Sequence, residues 1–298
     1  MKTPKTSSPN SSKTSVKTTS LHEMFSVLLR VTFAWGYSIK IPKEAKAQAA
    51  LTLPPPTTII GAVTRGLAVE EHRGEIVEKN GKLVSAAAEY LEIFKSASAF
   101  VDARPIRSKE AALGKYSEDP IRYQIHQFQR PARRGELKYR YNIVQAGKIY
   151  SPSASLVLGL LGDEKNAEKK LGSEWRRKIE KACYSVTCLG AKESIVSVED
   201  VVVDSFPRQL TGDFQTRFYH PRNVVKEVVK VEPTLWALGG TYVERFWRWE
   251  YKWGEEPLLE EYLVPGNREP VLSTYMVLKT NPGVQVFEVG EDGLAVFR

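Results

Sequence analysis

Residues 122–140 hold six cations, Arg122, Arg130, Arg133, Arg134, Lys138 and Arg140, against one acid, Glu136. Tyr123, Phe128, Tyr139 and Tyr141 are interleaved with or adjoin them. Guanidinium groups fork onto phosphate oxygens, and aromatic faces accept unpaired bases, so this mixture suits single-stranded nucleic acid. A solvated hairpin whose charges keep a strand edge from aggregating accounts for the same residues. His126 lies within the stretch, with Tyr123, Lys138 and Tyr139 close to it if the segment folds back on itself. A His, a Tyr and a Lys around one phosphate could activate an RNA 2′-hydroxyl without metal and leave a cyclic phosphate. A lone His on a strand otherwise serves as a polar surface group.

A second candidate lies at Leu53-Pro54-Pro55-Pro56-Thr57-Thr58-Ile59-Ile60-Gly61-Ala62. Each proline fixes φ and removes a donor, and a Thr hydroxyl can cap the helix expected to begin at Thr57. Free N–H groups at such a start favour phosphate, so Thr57 and Thr58 are candidate anion ligands. Arg65 and Arg73 on the same helix extend that track. Gly61 costs roughly 1 kcal/mol against alanine inside a helix, which implies that another backbone comes close there. Gly190-Ala191-Lys192 leads into a strand and is a third place where backbone can approach a ligand. Trp236, Trp247, Trp249 and Trp253 are expected to build core. His22, His72, His126 and His220 do not pair at metal-ligand spacing, and Cys183 and Cys188 have no partner pair, so no metal or cofactor is expected.

The charge is focused. Lys2, Lys5, Lys13 and Lys17 give residues 1–20 a charge of +4, residues 122–140 carry +5, and the rest supplies −1 of the net +8. Two basic segments on a near-neutral body suggest a polyanionic partner. No apolar run reaches the roughly 18 residues needed to cross a bilayer, and no signal-peptide core opens the chain, so cytoplasmic residence is expected.

The elements that must hold these residues can be read from periodicity. Residues 1–20 are expected to be a disordered basic tail. Phe25–Phe33 reads as a strand, Thr57 to about Gly74 as a helix, residues 83–95 as a second helix and Ser98–Ile106 as a strand. Residues 121–150 read as a hairpin turning at Pro131-Ala132-Arg133-Arg134-Gly135. Leu156–Leu161 is a buried strand. Asp163 is placed to cap a helix on which Ala167, Leu171, Trp175 and Ile179 share a face, weakened by Gly172. Strand, helix, strand, hairpin, strand, helix, strand predicts an α+β fold with a ferredoxin-like (RRM-type) domain over 21–205 and an inserted hairpin at about 121–150. A mostly β subdomain follows over 206–298. In it Val243, Trp247, Trp249, Tyr251 and Trp253 are expected on the core face of one strand.

The Pro-Thr helix start, together with Cys188-Leu189-Gly190-Ala191-Lys192-Glu193-Ser194-Ile195-Val196-Ser197-Val198, resembles the Cas-five family of the RAMP superfamily, subunits of CRISPR type I effector (Cascade) complexes. The second segment is similar to that family's Leu-Gly-x-x-Glu-Ser-(aliphatic)-Val-Ser-Val strand. The resemblance, strongest over 25–205, implies a non-catalytic subunit that holds the 5′ repeat-derived handle of CRISPR RNA. It implies Cas-seven-type backbone subunits and a large subunit as partners, with target DNA met indirectly. Residues 121–143 would be the family's thumb-like hairpin. Length and the β-rich second half are similar to archaeal type I-A members. In type I-C the corresponding subunit cuts the precursor, which keeps a metal-independent endoribonuclease open through His126, Tyr123 and Lys138. A protein-binding scaffold with an incidental basic tail is a third reading.

Overall fold

In the computed structural model the described residues are 24–39, 47–48, 50–74, 76–79, 81–102, 115–124, 141–150, 155–191, 194–233, 239–248, 258–268 and 271–297. β1 (Met24–Phe33) is followed by β2 (Ala47–Gln48), helix α1 (Pro56–Glu70), the hairpin of β3 (Ile76–Lys79) and β4 (Lys82–Ser85), a 3₁₀ turn over Ala86–Glu89, and β5 (Phe94–Val101). Next come β6 (Lys115–Gln124), β7 (Tyr141–Tyr150), β8 (Ser155–Asp163), helices α2 (Glu164–Leu171) and α3 (Trp175–Tyr184), and β9 (Val196–Asp204).

The alternation in β1 sets up a two-sided sheet. Phe25, Val27, Leu29, Val31 and Phe33 are all buried on one side, while Met24 and Leu28 belong to a second cluster on the other. The sheet runs β5-β8-β1-β9 with every neighbour antiparallel. α1 and α3 pack together in the same cluster as the odd-numbered β1 residues, so both helices cover that face. Gly66 of α1 makes the close approach, since a Cβ there would lie 2.7 Å from the Ala182 carbonyl oxygen of α3. Gly61 has nothing within 4 Å of such a Cβ, so the close contact expected at Gly61 falls five residues later.

Several boundaries differ from the sequence reading. α1 begins at Pro56 with Pro55 at the N-cap and no side-chain cap, so neither Thr57 nor Thr58 caps it. The proline ring is already shaped for the first helical position, which moves the start one residue earlier. Residues 83–95 form no α-helix: the span holds most of β4, the 3₁₀ turn and the start of β5. The helix expected after Asp163 is two helices, broken at Gly172, whose φ of 83° no longer propagates a helix. Asp163 caps the first as expected, accepting from the Asn166 amide at 2.9 Å.

Beyond Asp204 the described chain is entirely strand and turn. It runs through β10 (Gln209–Leu210), β11 (Phe214–Thr216), β12 (His220–Pro221), β13 (Val225–Glu232), β14 (Thr241–Trp247), β15 (Leu259–Asn267), β16 (Leu272–Ser273), β17 (Tyr275–Thr280), β18 (Val286–Val289) and β19 (Asp292–Ala295). Phe218, Phe287, Val289 and Leu294 pack with Met24, Phe100, Val157 and Leu161 against the sheet face that the helices leave bare. β14 is out of phase with the sequence reading. Glu244 and Phe246 are buried while Val243 and Arg245 are exposed. Phe246 stacks among Tyr219 and Tyr262, and that aromatic cluster selects the phase. Trp247 is half-buried at the strand's end, and Trp236, Trp249 and Trp253 lie outside the described residues.

Candidate nucleic-acid interface

β6 and β7 form one antiparallel ladder from Lys115↔Tyr150 to Gln124↔Tyr141, so residues 125–140 connect their far ends. Arg122 and Tyr123 sit in the last three rungs, opposite Ile143 and Asn142. His126, Arg130, Arg133, Arg134, Lys138 and Arg140 lie in the connection, outside the described residues; Lys192, far along the chain, is also outside them.

The base of this ladder is held by the short segment after β1. Tyr37 exchanges both backbone hydrogen bonds with Ile149 of β7, at 2.9 and 2.8 Å. Its buried hydroxyl donates to the Thr52 carbonyl, and its ring packs on Phe33. Ser38 accepts from the Ala191 amide at 3.0 Å and donates its own amide to the buried Ser194 hydroxyl at 3.0 Å. Ile39 accepts from the Leu51 amide at 2.8 Å. Tyr37, Ser38 and Ile39 thus tie together the hairpin base, the loop carrying Gly190 and Ser194, and the approach to α1. Sequence reasoning missed all three, because their partners lie far along the chain; the only local sign was a Gly36-Tyr37-Ser38-Ile39 run directly after a strand.

Within that frame Cys188 and Ile195 form an antiparallel bridge, the Ser194 amide bonds the Ala191 carbonyl at 2.9 Å, and β9 starts only at Val196. Gly190 takes a φ of 100°, and a Cβ on it would lie 2.6 Å from Ile39 Cγ1 and 3.0 Å from the Ser38 oxygen. The close approach is to protein, which explains the glycine.

The start of α1 is poorer in donors than expected. Pro54, Pro55 and Pro56 have no N–H, while the Thr58 and Ile59 amides bond the Pro55 carbonyl at 2.9 and 3.2 Å. Among the described residues only the Thr57 amide of this first turn is left to meet an anion. Arg65 and Arg73 are both exposed on or just past α1, and Arg73 is held by Glu89 and, at 3.4 Å, by Glu71.

A buried acid fixes this region to the second half of the chain. Glu244 accepts the Thr52 amide at 3.0 Å and the Thr52 hydroxyl at 2.6 Å, with Arg268 at 4.0 Å. Burial outweighs these bonds and holds the Glu244 carboxyl above its ordinary range. The Tyr219 hydroxyl donates to the Pro54 carbonyl at 2.7 Å.

Neither histidine that the structure describes is placed for catalysis. His72 is exposed just past the end of α1. His220 is buried, with Nε2 accepting the Ala295 amide at 3.1 Å and Nδ1 facing the Phe218 carbonyl at 3.0 Å. Burial lowers its pKa to about 4, so it is neutral and structural. Cys183 is buried, and desolvation pushes its thiol up. No group of three or more His, Cys, Asp or Glu able to hold a metal ion occurs among the described residues, and no described helix is long and apolar enough to cross a membrane.

No family model matches the chain. It is 32% identical over 260 residues to "CRISPR-associated protein Cas5 3" of Saccharolobus solfataricus, covering 86% of this chain and 92% of the relative. It is 31% identical over 261 residues to "CRISPR system aCascade subunit Cas5 1" of the same organism, again covering 86% and 92%. Its fold is similar to that of a CRISPR protein from Archaeoglobus fulgidus, with a TM-score of 0.51, 16% identity, and coverage of 91% of this chain and 98% of the other.

Proposed function

Because the chain belongs to the Cas5 family of CRISPR-associated proteins, we propose that it is a non-catalytic RNA-binding subunit of a CRISPR effector complex of the Cascade kind. It holds the 5′ repeat-derived handle of CRISPR RNA. The observation that carries this reading is the junction at Tyr37, Ser38 and Ile39, which gathers the basic hairpin, the Leu-Gly-x-x-Glu-Ser loop and the start of α1 around one rigid segment. A reader of single-stranded RNA needs such a fixed base beneath a cationic, aromatic-rich arm.

The β-α-β-β-α-β order of the sheet supports assignment of a ferredoxin-like unit over 21–205, with β6 and β7 as the stem of a thumb-like insertion and 206–298 as a β-rich subdomain. RRM modules stack bases on the open face of such a sheet. Here Phe218, Phe287 and Leu294 fill part of that face, so RNA is taken by the inserted arm. Arg122, Arg130, Arg133, Arg134, Lys138 and Arg140 supply phosphate contacts, with Tyr123 and His126 meeting bases. Thr57, Thr58, Arg65 and Lys192 are secondary contacts. The name of one Saccharolobus relative, an aCascade subunit, supports a Cascade setting. In this reading the chain belongs to an archaeal type I-A complex in the cytoplasm, beside Cas-seven-type and large subunits, with target DNA met through the guide.

The test mixes purified protein with end-labelled repeat RNA in EDTA and reads native and denaturing gels. Preference for the handle over scrambled RNA, with the RNA intact, is expected. A discrete product ending in a cyclic phosphate, lost in His126→Ala, would replace this reading with a processing nuclease. No affinity at low salt would replace it with a scaffold.

A further inference from the structure

Thr52 has three polar groups, and all of them are engaged out of reach of water. Thr52 itself is 0% exposed, and Tyr37 and Glu244 are each 4% exposed. The Thr52 amide donates to Glu244 Oε1 at 3.0 Å and its hydroxyl to Glu244 Oε2 at 2.6 Å. With its proton so placed, that hydroxyl accepts from the Tyr242 hydroxyl at 2.6 Å. The Thr52 carbonyl accepts from the Tyr37 hydroxyl. Glu244 and Tyr242 belong to β14, in the second half of the chain. Tyr37 is the residue that exchanges backbone bonds with Ile149 at the base of the β6–β7 arm. β2, which pairs with β7 further along that arm, lies just before Thr52 in the chain. Thr52 therefore stands between β14 and the arm, bonded toward both.

Apolar side chains would join the two halves of the chain at a lower desolvation cost. A fully satisfied polar network supplies what apolar contact does not, a single allowed geometry. We propose that Thr52 is a positioning residue for RNA capture: through Glu244 and Tyr37 it lets the C-terminal half set the angle at which the arm leaves the body. The inference rests on the reading of the chain as an RNA-binding subunit and gives β14 a part in it. An arm held at one angle meets the handle already oriented, whereas a loosened arm binds only in the fraction of time spent at that angle.

The test uses three variants of the full chain. Thr52→Val keeps the shape and loses the hydroxyl, Tyr37→Phe loses the donor to the Thr52 carbonyl, and Thr52→Ser restores the hydroxyl. Amide hydrogen exchange without RNA reads the relay. The Ile149 amide should exchange at least tenfold faster in Thr52→Val and in Tyr37→Phe, while the amides of β13 and β17 keep their rates. Stopped-flow mixing with the labelled handle reads the consequence. Association should slow at least threefold in both variants at an unchanged salt slope, because the same phosphates are met once the arm is in place. Thr52→Ser should match the unaltered protein in both measurements. Unchanged exchange at Ile149, or exchange raised equally in β13 and β17, overturns the relay. Faster exchange with unchanged association, a flattened slope, or no rescue by Thr52→Ser overturns the positioning role. No affinity for the handle in the unaltered protein overturns the RNA reading, and the Ile149 exchange rates then still decide the relay.

Discussion

Two glycines of one helix should respond to the same substitution with opposite signs. Replacing a helical glycine by alanine stabilises by about 1 kcal/mol through backbone entropy and burial. At Gly61 a Cβ meets nothing within 4 Å, so Gly61→Ala should realise that full gain. At Gly66 the Cβ would lie 2.7 Å from the Ala182 carbonyl oxygen and 2.8 Å from Ala182 Cα. Ordinary contact begins at 3.4 Å, so α1 and α3 would have to separate by about 0.7 Å. Both Ala182 atoms are backbone and cannot rotate aside. Overpacking costs about 1–3 kcal/mol, and two immovable backbone contacts put this case at about 2–3, which outweighs the propensity gain and leaves Gly66→Ala destabilised by about 1–2 kcal/mol. The two variants should therefore differ by about 2–3 kcal/mol, or several degrees in Tm. Urea unfolding of the full chain, followed by tryptophan fluorescence, measures both. If the two variants shifted in the same direction, the packing of α1 on α3 at Gly66 would be wrong.

Other outcomes follow from the buried polar groups. His220 has its pKa lowered from 6.5 to about 4, so the unfolded state takes up the proton first as pH falls. Its contribution is complete above pH 6.5 and is lost between 6.5 and 4, about 3 kcal/mol in all. Unfolding curves across that window should lose this component of their slope in His220→Gln. Glu244→Ala strips the Thr52 amide and hydroxyl of their acceptor and should cost about 3 kcal/mol in a urea titration, loosening the approach to α1. The buried Asp292 carboxylate holds Arg217 at 2.7 Å, with that guanidinium lying over the Phe100 and Tyr275 rings. Asp292→Ala should cost about 3 kcal/mol by leaving the half-buried Arg217 only the exposed Glu291 carboxylate, 3.9 Å away, seen as an early-melting C-terminal half by hydrogen exchange.

Local signals were legible where one element decided them. The alternation of Phe25 to Phe33, the Asp163 cap and the buried run at 156–161 all depend on neighbours within a few residues. The misread places depend on distant partners. Which glycine of α1 is pressed is set by where α3 crosses, and the phase of β14 by aromatic residues at 219 and 262. Residues 83–95 misled because Val84, Ala87 and Leu91 fit helical spacing while the chain instead turns back as a hairpin and a 3₁₀ turn. The candidate interface was half legible. Its cations stood out as a charge cluster, but the segment that anchors their hairpin, Tyr37 to Ile39, has no charge or motif of its own.

The account turns on whether the arginines of the 125–140 connection grip RNA. Fluorescence anisotropy of the labelled handle against salt, for the unaltered protein and Arg133→Glu/Arg134→Glu, measures this directly. Loss of two phosphate contacts should weaken binding and flatten the log–log salt slope by about 1.4. Equal affinity and equal slope in the two proteins would contradict it.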